Sequence, residues 1–193
     1  MSNDAAAKAK PAEASAEPKA AGRRRITRRK AVEAHIRSYF EALAARDVER
    51  ALGHWGRDVV ADIVPLGVLR GRDELKGFLD GLIASVPDVE LTVERLVAGE
   101  REAVVEWRRQ GTFSGAQFQG IEPTRGHIEL RGVDVFQVED GEIVSETAYY
   151  DSSDFARQIG MLPPQDSGAE RAMKSAFNAV TKVRRAVNER RPG

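Results

Sequence analysis

Two long strands joined by a tight turn are predicted by residues 127–151, HIELRGVDVFQVEDGEIVSETAYYD. Apolar and polar residues alternate along residues 127–138, which is the pattern of a strand with one buried face. The run Glu139-Asp140-Gly141-Glu142 then predicts a hairpin turn, because Gly tolerates the positive φ that such a turn requires. Residues 143–151 return beside the first strand, so this stretch predicts an antiparallel sheet.

More strands and helices precede this hairpin. Residues 89–97 and 102–113 are also predicted to be strands, and a shorter strand at 59–64 ends at Pro65. Helices are predicted at about 47–54 and 72–84 and around an apolar stripe formed by Val32, Ile36, Tyr39, Phe40 and Leu43. Helices followed by a run of antiparallel strands are typical of an α+β fold with helices on one face of a curved sheet.

The chain of 193 residues is expected to divide into three segments. Residues 1–22 hold no large apolar side chain beyond Met1, so they are predicted to form a disordered Ala/Lys/Pro-rich tail. Residues 23–164 are predicted to form the folded domain. Residues 165–193 are predicted to form an amphipathic, basic C-terminal helix whose apolar stripe consists of Met173, Phe177, Val180, Val183 and Val187.

Composition excludes several functional classes. The chain has no cysteine and three scattered histidines, so we predict neither thiol chemistry nor a metal site. It has no Walker loop and no G-x-G-x-x-G motif, and we predict no cofactor. No run of 18 apolar residues occurs, so no transmembrane segment is expected. Residues 1–22 also lack the apolar centre of a signal peptide, which predicts a cytoplasmic protein.

The formal net charge of zero hides an uneven distribution along the chain. Residues 1–30 carry nine Lys/Arg against three Asp/Glu, and residues 167–193 carry seven against two. The segment between them holds 14 Lys/Arg against 25 Asp/Glu. An acidic body with basic ends predicts either tails that fold back on the body or weak contact with nucleic acid or another anionic surface.

The candidate catalytic residues are polar groups on apolar faces. Asp134 shares one face of its strand with Leu130 and Phe136, and a carboxyl group buried there must be protonated, paired or hydrogen-bonded. Asp62 lies between two valines of its own strand face in the same manner. Tyr39 lies on the apolar stripe of the first helix. For each of these residues, a structural role within the core is the alternative.

The candidate substrate-contacting residues form an aromatic wall with one positive charge. Trp107, Arg109 and Phe113 share a strand face, an arrangement that suits a flat, oxygenated ligand. Phe136 and Trp55 complete the predicted wall. The alternative is that Trp107 packs in the core while Arg109 neutralises one of the acids.

Several short runs resemble the SnoaL-like and ketosteroid-isomerase-like proteins of the nuclear-transport-factor-2-like superfamily. These runs are YFEALAARD (39–47), LRGRDEL (69–75), WRRQGTF (107–113), EPT (122–124), DGEI (140–143), YYD (149–151) and RQIGMLP (157–163). The resemblance implies a cone-shaped sheet wrapped around a long helix, with an apolar pocket open at one end. It also implies a homodimer-forming domain that binds a small hydrophobic carbonyl compound.

The resemblance suggests roles for four residues. By analogy with ketosteroid isomerases, Tyr39 and a protonated Asp134 would bind the oxyanion, and Asp62 would move the proton. By analogy with polyketide cyclases, Asp151 in the run Tyr149-Tyr150-Asp151 would be the acid/base. The first hypothesis is therefore a cofactor-free isomerase or cyclase. The second is a non-catalytic ligand-binding or assembly module whose basic tails dock to an anionic partner.

Overall fold

The computed structural model describes residues 16–189, with side chains from residue 22 onward. Over that range the chain forms five helices and six strands. The helices are α1 (Ala16–Ala44), α2 (Val48–Leu52), α3 (Gly71–Ser85), α4 (Ser152–Gln158) and α5 (Gly168–Glu189). The strands are β1 (Trp55–Val64), β2 (Gly67–Arg70), β3 (Glu90–Ala98), β4 (Glu102–Thr112), β5 (His127–Glu139) and β6 (Glu142–Tyr150).

The six strands form one curved, open sheet in the order β2-β1-β6-β5-β4-β3. This confirms the predicted α+β fold and the pairing of β5 with β6 across the Asp140-Gly141 turn. Both turn residues have positive φ, 49° at Asp140 and 85° at Gly141, as a tight hairpin requires. One pairing differs from the antiparallel expectation, because β1 lies parallel to β6. The sheet is therefore mixed.

The core lies between the inner face of the sheet and the helices α1 and α3. The C-terminal half of α1 contributes Ile36, Tyr39 and Phe40, all of which are 3% exposed or less. They pack against inner-face residues such as Val105 and Phe136, which are fully buried. The inner face is apolar because every second residue of β4 and β5 points toward these helices.

Residues 23–31 and 171–189 are exposed and lie outside this core. Helix α1 begins at Ala16, inside the segment predicted to be a disordered tail, and residues 1–15 lie outside the described residues. Ala-rich sequence favours helix, and Pro18 falls in the first turn, where proline is tolerated. The predicted C-terminal helix is confirmed as α5. Within residues 16–189, no helix combines the length and apolar character needed to cross a bilayer.

Gly132 sets how closely β5 approaches the Trp107 indole on β4. The two residues are directly paired, and a Cβ atom at Gly132 would overlap the Trp107 ring. We predict that Gly132→Ala destabilises the fold by about 1–3 kcal/mol, the usual cost of overpacking. The measurement is the urea midpoint of unfolding, followed by tryptophan fluorescence.

Gly77→Ala is the matched control for this substitution. Gly77 lies in the exposed part of α3 with open space around its Cα, so the added methyl should stabilise the helix by about 0.5–1 kcal/mol. Equal midpoints for Gly132→Ala and the wild type would contradict the close approach of β5 to Trp107.

Candidate active site

A cavity opens between α1, α3 and the inner face of the sheet. Its volume is about 80 Å³, and its mouth is open to solvent. Most of its wall is apolar and aromatic, with Leu43, Ile63, Leu75, Phe78, Leu79, Leu82, Phe113, Phe118, Ile128, Leu130 and Phe155 among the lining residues. The titratable side chains that line it are Tyr39, Arg109, Asp134, Glu146 and Tyr150. A few polar groups converging in an apolar cavity is the usual composition of a small-molecule site.

Two carboxyl groups lie side by side on the inner face of the sheet. Asp134 on β5 pairs with Ala148, and Glu146 on β6 pairs with Phe136, so the two acids are diagonal neighbours on adjacent strands. Each is 6% exposed. Two carboxylates in such an environment do not ionise together, since each charge opposes the other in a medium of low dielectric constant.

The two acids respond differently to this burial. Burial raises the pKa of Asp134 from its ordinary 3.8 to about 6, against the opposing influence of the Trp107 indole and the Arg109 guanidinium. Burial, followed by the charge and hydrogen bond of Asp134, raises the pKa of Glu146 well above its ordinary 4.5. Because burial and mutual repulsion both favour protonation, the pair holds one proton between its two carboxyl groups at neutral pH.

Sequence reasoning missed Glu146. The register of β5 against β6 shifts between Gln137 and Val138, so that Val144 has no partner on β5. This bulge lets Ile143 and Glu146 both face the core, although they are three positions apart. Strict alternation from Ile143 places Glu146 on the outer face. One signal in the sequence could have revealed it. Glu146 alternates with Ala148 and Tyr150, which continue the inner face of β6 after the bulge.

Arg109 supplies the positive charge of the cavity. Its guanidinium lies over the Trp107 ring, with the Cζ atom 4.9 Å from the ring centroid. Among the described residues, no carboxylate oxygen lies within 4.0 Å of its nitrogens. Arg109 therefore influences Asp134 and Glu146 through its electric field rather than through an ion pair, and its side chain lines the cavity.

Tyr39 is held rigidly by aromatic neighbours. Its ring makes edge contacts with Phe40, Trp55 and Phe136 at centroid distances of 5.5, 5.9 and 5.7 Å. Burial, then the charges of Glu146 and Asp134, raise the pKa of Tyr39 well above 10. The phenol therefore stays protonated at neutral pH, and Tyr39 lines the wall of the cavity.

Three buried polar atoms near these residues have no hydrogen-bond partner of normal geometry among the described residues. They are Trp55 Nε1, Trp107 Nε1 and Asp134 Oδ1. Unsatisfied buried groups are costly and rare in folded proteins, and they concentrate at functional sites. The carboxyl group of Asp134 is therefore removed from water and lacks a hydrogen-bond partner at Oδ1. Both conditions favour its protonated form.

Asp62 lies on the wrong face of the sheet for the predicted catalytic role. In the second half of β1 the buried residues are Val59, Ala61 and Ile63, whereas Asp62 alternates with them and lies on the outer face. It does not line the cavity. The carboxyl group does lie on an apolar strand face, as the pattern indicated, but that face is on the outside of the sheet.

Asp151 lies outside the cavity as well. Its exposed carboxylate is the N-cap of α4 and accepts hydrogen bonds from the backbone N–H groups of Ser153 and Asp154, at 2.9 and 3.0 Å. Capping the first turn of a helix is a structural task that accounts for Asp at this position. The structure thus places neither Asp62 nor Asp151 beside the Asp134–Glu146 pair.

Three of the five residues predicted to contact the substrate line the cavity. Trp107, Arg109 and Phe113 line the cavity, as does Tyr150, which the sequence reasoning did not select. Trp55 and Phe136 do not line it: they are 1% and 0% exposed and pack behind Tyr39. Among the described residues, no group of three or more His, Asp or Glu side chains is arranged to hold a metal ion.

A family model described as the SnoaL-like domain matches residues 36–146, which is more than half of the chain. The chain therefore belongs to the SnoaL-like domain family. A comparison with curated proteins finds no match.

Three solved structures illustrate the similarity. AclR from Streptomyces galilaeus, a candidate hydroxylase, has a TM-score of 0.62 at 20% identity, covering 78% of this chain and 94% of its own. IdmH from Streptomyces antibioticus, a candidate polyketide cyclase, has a TM-score of 0.57 at 25% identity, covering 65% and 96%. A candidate ketosteroid isomerase from Kribbella flavida DSM 17836 has a TM-score of 0.50 at 22% identity, covering 64% and 79%.

The raised pKa of Asp134 predicts how stability depends on pH. Between the ordinary pKa of 3.8 and the folded value of about 6, the folded chain keeps a proton that the unfolded chain releases. The free energy of unfolding should therefore fall as pH rises through this window, by up to about 3 kcal/mol. Urea midpoints measured from pH 4 to pH 7.5 should show this fall in the wild type and a smaller one in Asp134→Asn, in which the raised pKa of the buried Glu146 still lowers stability as pH rises.

Asp62→Asn is the control, because Asp62 lies on the outer face and should leave the wild-type pH dependence in place. Identical slopes in the wild type and in Asp134→Asn would show that Asp134 does not hold a proton in this range.

Proposed function

We propose that this protein is a cofactor-free isomerase or cyclase that moves a proton on a small hydrophobic carbonyl compound. The observation that carries the proposal is the Asp134–Glu146 pair, two carboxyl groups that share one proton inside an apolar cavity. Proton transfer next to a carbonyl group needs one acid and one base at the same place, and this pair supplies both at neutral pH.

The ionised carboxylate of Asp134 is the proposed base. It removes a proton from the carbon next to the substrate carbonyl, and the electron pair of that C–H bond forms an enolate. The protonated Glu146 and the phenol of Tyr39 donate hydrogen bonds to the developing oxyanion, and the Arg109 guanidinium stabilises its negative charge. Asp134 then returns its proton to another atom of the substrate, so that the net reaction consumes no cofactor.

The cavity wall supports a flat, apolar substrate. Leu75, Leu79 and Leu130 offer aliphatic contact, and Phe113 and Trp107 offer aromatic faces. The SnoaL-like domain family and the name of IdmH agree with a cyclised polyketide or similar ring compound as the substrate class. Contact of the basic chain ends with nucleic acid, a non-catalytic binding role and a cytoplasmic location stay predictions.

The test is hydrogen–deuterium exchange at the α-carbon of bicyclic and steroid ketones in D2O, with 2-tetralone as the first probe and NMR as the readout. We expect saturable, protein-dependent exchange in the wild type. Asp134→Asn should lower kcat/KM by about a hundredfold or more, because removal of a general base has effects of this size. Tyr39→Phe should lower it less, since one oxyanion donor is lost while the ring packing remains.

Asp62→Asn and Asp151→Ser serve as controls with substitutions outside the cavity, and both should exchange at the wild-type rate. Exchange that is lost in Asp62→Asn but kept in Asp134→Asn would exclude the proposed base. Exchange that no ketone of the panel undergoes, together with tight binding of one of them, would favour the non-catalytic binding module.

The pH profile of the exchange is a further prediction. A base with a pKa of about 6 is active when ionised, so kcat/KM should rise with pH and level off above that value. Glu146→Ala removes the neighbouring proton donor and should depress the plateau. An acidic limb with a midpoint near the ordinary carboxyl pKa would contradict the desolvated state of Asp134.

A further inference from the structure

Helix α5 carries an apolar stripe that no other described residue covers. The α5 stripe consists of Met173, Phe177, Val180, Val183 and Val187, whose exposure ranges from 46% to 69%. The helix contacts the folded body at its start, where the buried Glu170 accepts hydrogen bonds from the Arg157 side chain and the backbone N–H of Asp166. From Arg171 to Glu189 every residue is exposed. A helix of this length is marginal in water without a partner surface.

The side of α5 opposite the stripe is basic. At about 100° per residue, Arg171, Lys174, Lys182 and Arg185 fall within one arc of about 80°, and the α5 stripe lies on the other side of the helix axis. Over residues 171–189 the sequence holds five Lys/Arg against one acidic residue, Glu189. Helix α5 is therefore apolar on one side and strongly cationic on the other.

Several cations of α5 have no anionic neighbour among the described residues. No carboxylate oxygen in that part of the chain lies within 4.0 Å of the side-chain nitrogens of Arg171, Lys182 or Arg184. Lys174 contacts Glu170 of the same helix, at 3.1 Å. A partner that covers the stripe and also supplies negative charge would therefore stabilise both sides of α5. A second α5 supplies little negative charge, because each copy brings the same excess of cations.

We propose that α5 binds the surface of a bilayer that contains anionic phospholipids. The stripe enters the boundary between the headgroups and the acyl chains, and the long Lys and Arg side chains reach the phosphate groups. An apolar stripe, a polar side rich in Lys and Arg, and a low overall hydrophobicity are the features of helices that lie in this plane. The helix lies on the surface and does not cross it, because its basic side is too costly to place in hydrocarbon. The proposal goes beyond the proton-transfer function and does not depend on it.

The test is co-sedimentation of the full-length chain with lipid vesicles. One set of vesicles is phosphatidylcholine alone, and the other is a mixture of phosphatidylcholine and phosphatidylglycerol. We expect partition into the anionic vesicles to exceed partition into the neutral ones by about tenfold or more, since several Lys and Arg side chains act together near an anionic surface. High salt should reduce this difference, because it screens the charges.

Two double variants separate the apolar contribution from the charge. Phe177→Gln with Val180→Gln removes two members of the stripe, whereas Ser175→Gln with Asn178→Gln places the same residue type on the polar side. We expect the first variant to weaken binding to the anionic vesicles by about 30-fold or more, because two apolar side chains no longer leave water. The second should bind like the wild type. All four positions are exposed, so the urea midpoints should stay unchanged.

A tryptophan in the stripe gives a second, spectroscopic measurement. The natural Trp55 and Trp107 are buried in the core, so their emission should not respond to vesicles. Phe177→Trp should show a blue shift of its emission when anionic vesicles are added, because an indole in the stripe leaves water on binding. Asn178→Trp, on the polar side, is the matched control and should show a much smaller shift.

Four results would overturn the proposal. One is a wild type that partitions equally into neutral and anionic vesicles, or into neither. Another is equal binding by the two double variants. The third is binding that survives Phe177→Gln with Val180→Gln but is lost in Arg28→Gln with Arg29→Gln, because the contact would then lie in the exposed basic part of α1. The fourth is a wild-type oligomer that binds no vesicles and dissociates in Phe177→Gln with Val180→Gln, because the stripe would then be covered by another copy.

Discussion

Two carboxyl groups and a single guanidinium share one apolar cavity, and much of the architecture serves to keep them there. Asp134 and Glu146 oppose folding in their charged forms, since burial removes them from water. The apolar core around Ile36, Phe40 and Phe136 offsets that cost. The ring of Tyr39 on α1 is held at the wall of this cavity by its contacts with Phe40, Trp55 and Phe136. Function and stability therefore act against each other at the centre of this sheet.

Most of the fold could be predicted because it depends on local patterns. Alternation in residues 127–138, the Asp140-Gly141 turn and the apolar stripe of α1 each specify one element, and all of them are confirmed. The short strand β2 and the parallel pairing of β1 with β6 were not predicted. Parallel pairing depends on contacts between residues far apart in sequence, and no local pattern encodes them.

The candidate site was less predictable, for a related reason. Alternation correctly placed Asp134, Trp107 and Arg109 on the inner face. It also identified Asp62 as a carboxyl group on an apolar strand face, but it could not say which side of the sheet that face occupies. Glu146 was not predicted, because a bulge at Val144 shifts the alternation of inward and outward side chains along β6. A periodic pattern shows which residues of one strand share a face. It does not show whether that face is the inner or the outer face of the sheet, and the candidate site depends on this choice in four strands.

The parallel pairing of β1 with β6 has a consequence for the order in which the chain folds. Ala61 pairs with Glu146, 85 positions later in the sequence, so β1 finds this neighbour only when the last strand has been made. Until then Val59, Ala61 and Ile63 can be covered only by the adjacent helices and β2. Distant pairing slows folding and prolongs the exposure of apolar strands to aggregation. During synthesis, Glu146 is therefore among the last residues of the candidate site to be made.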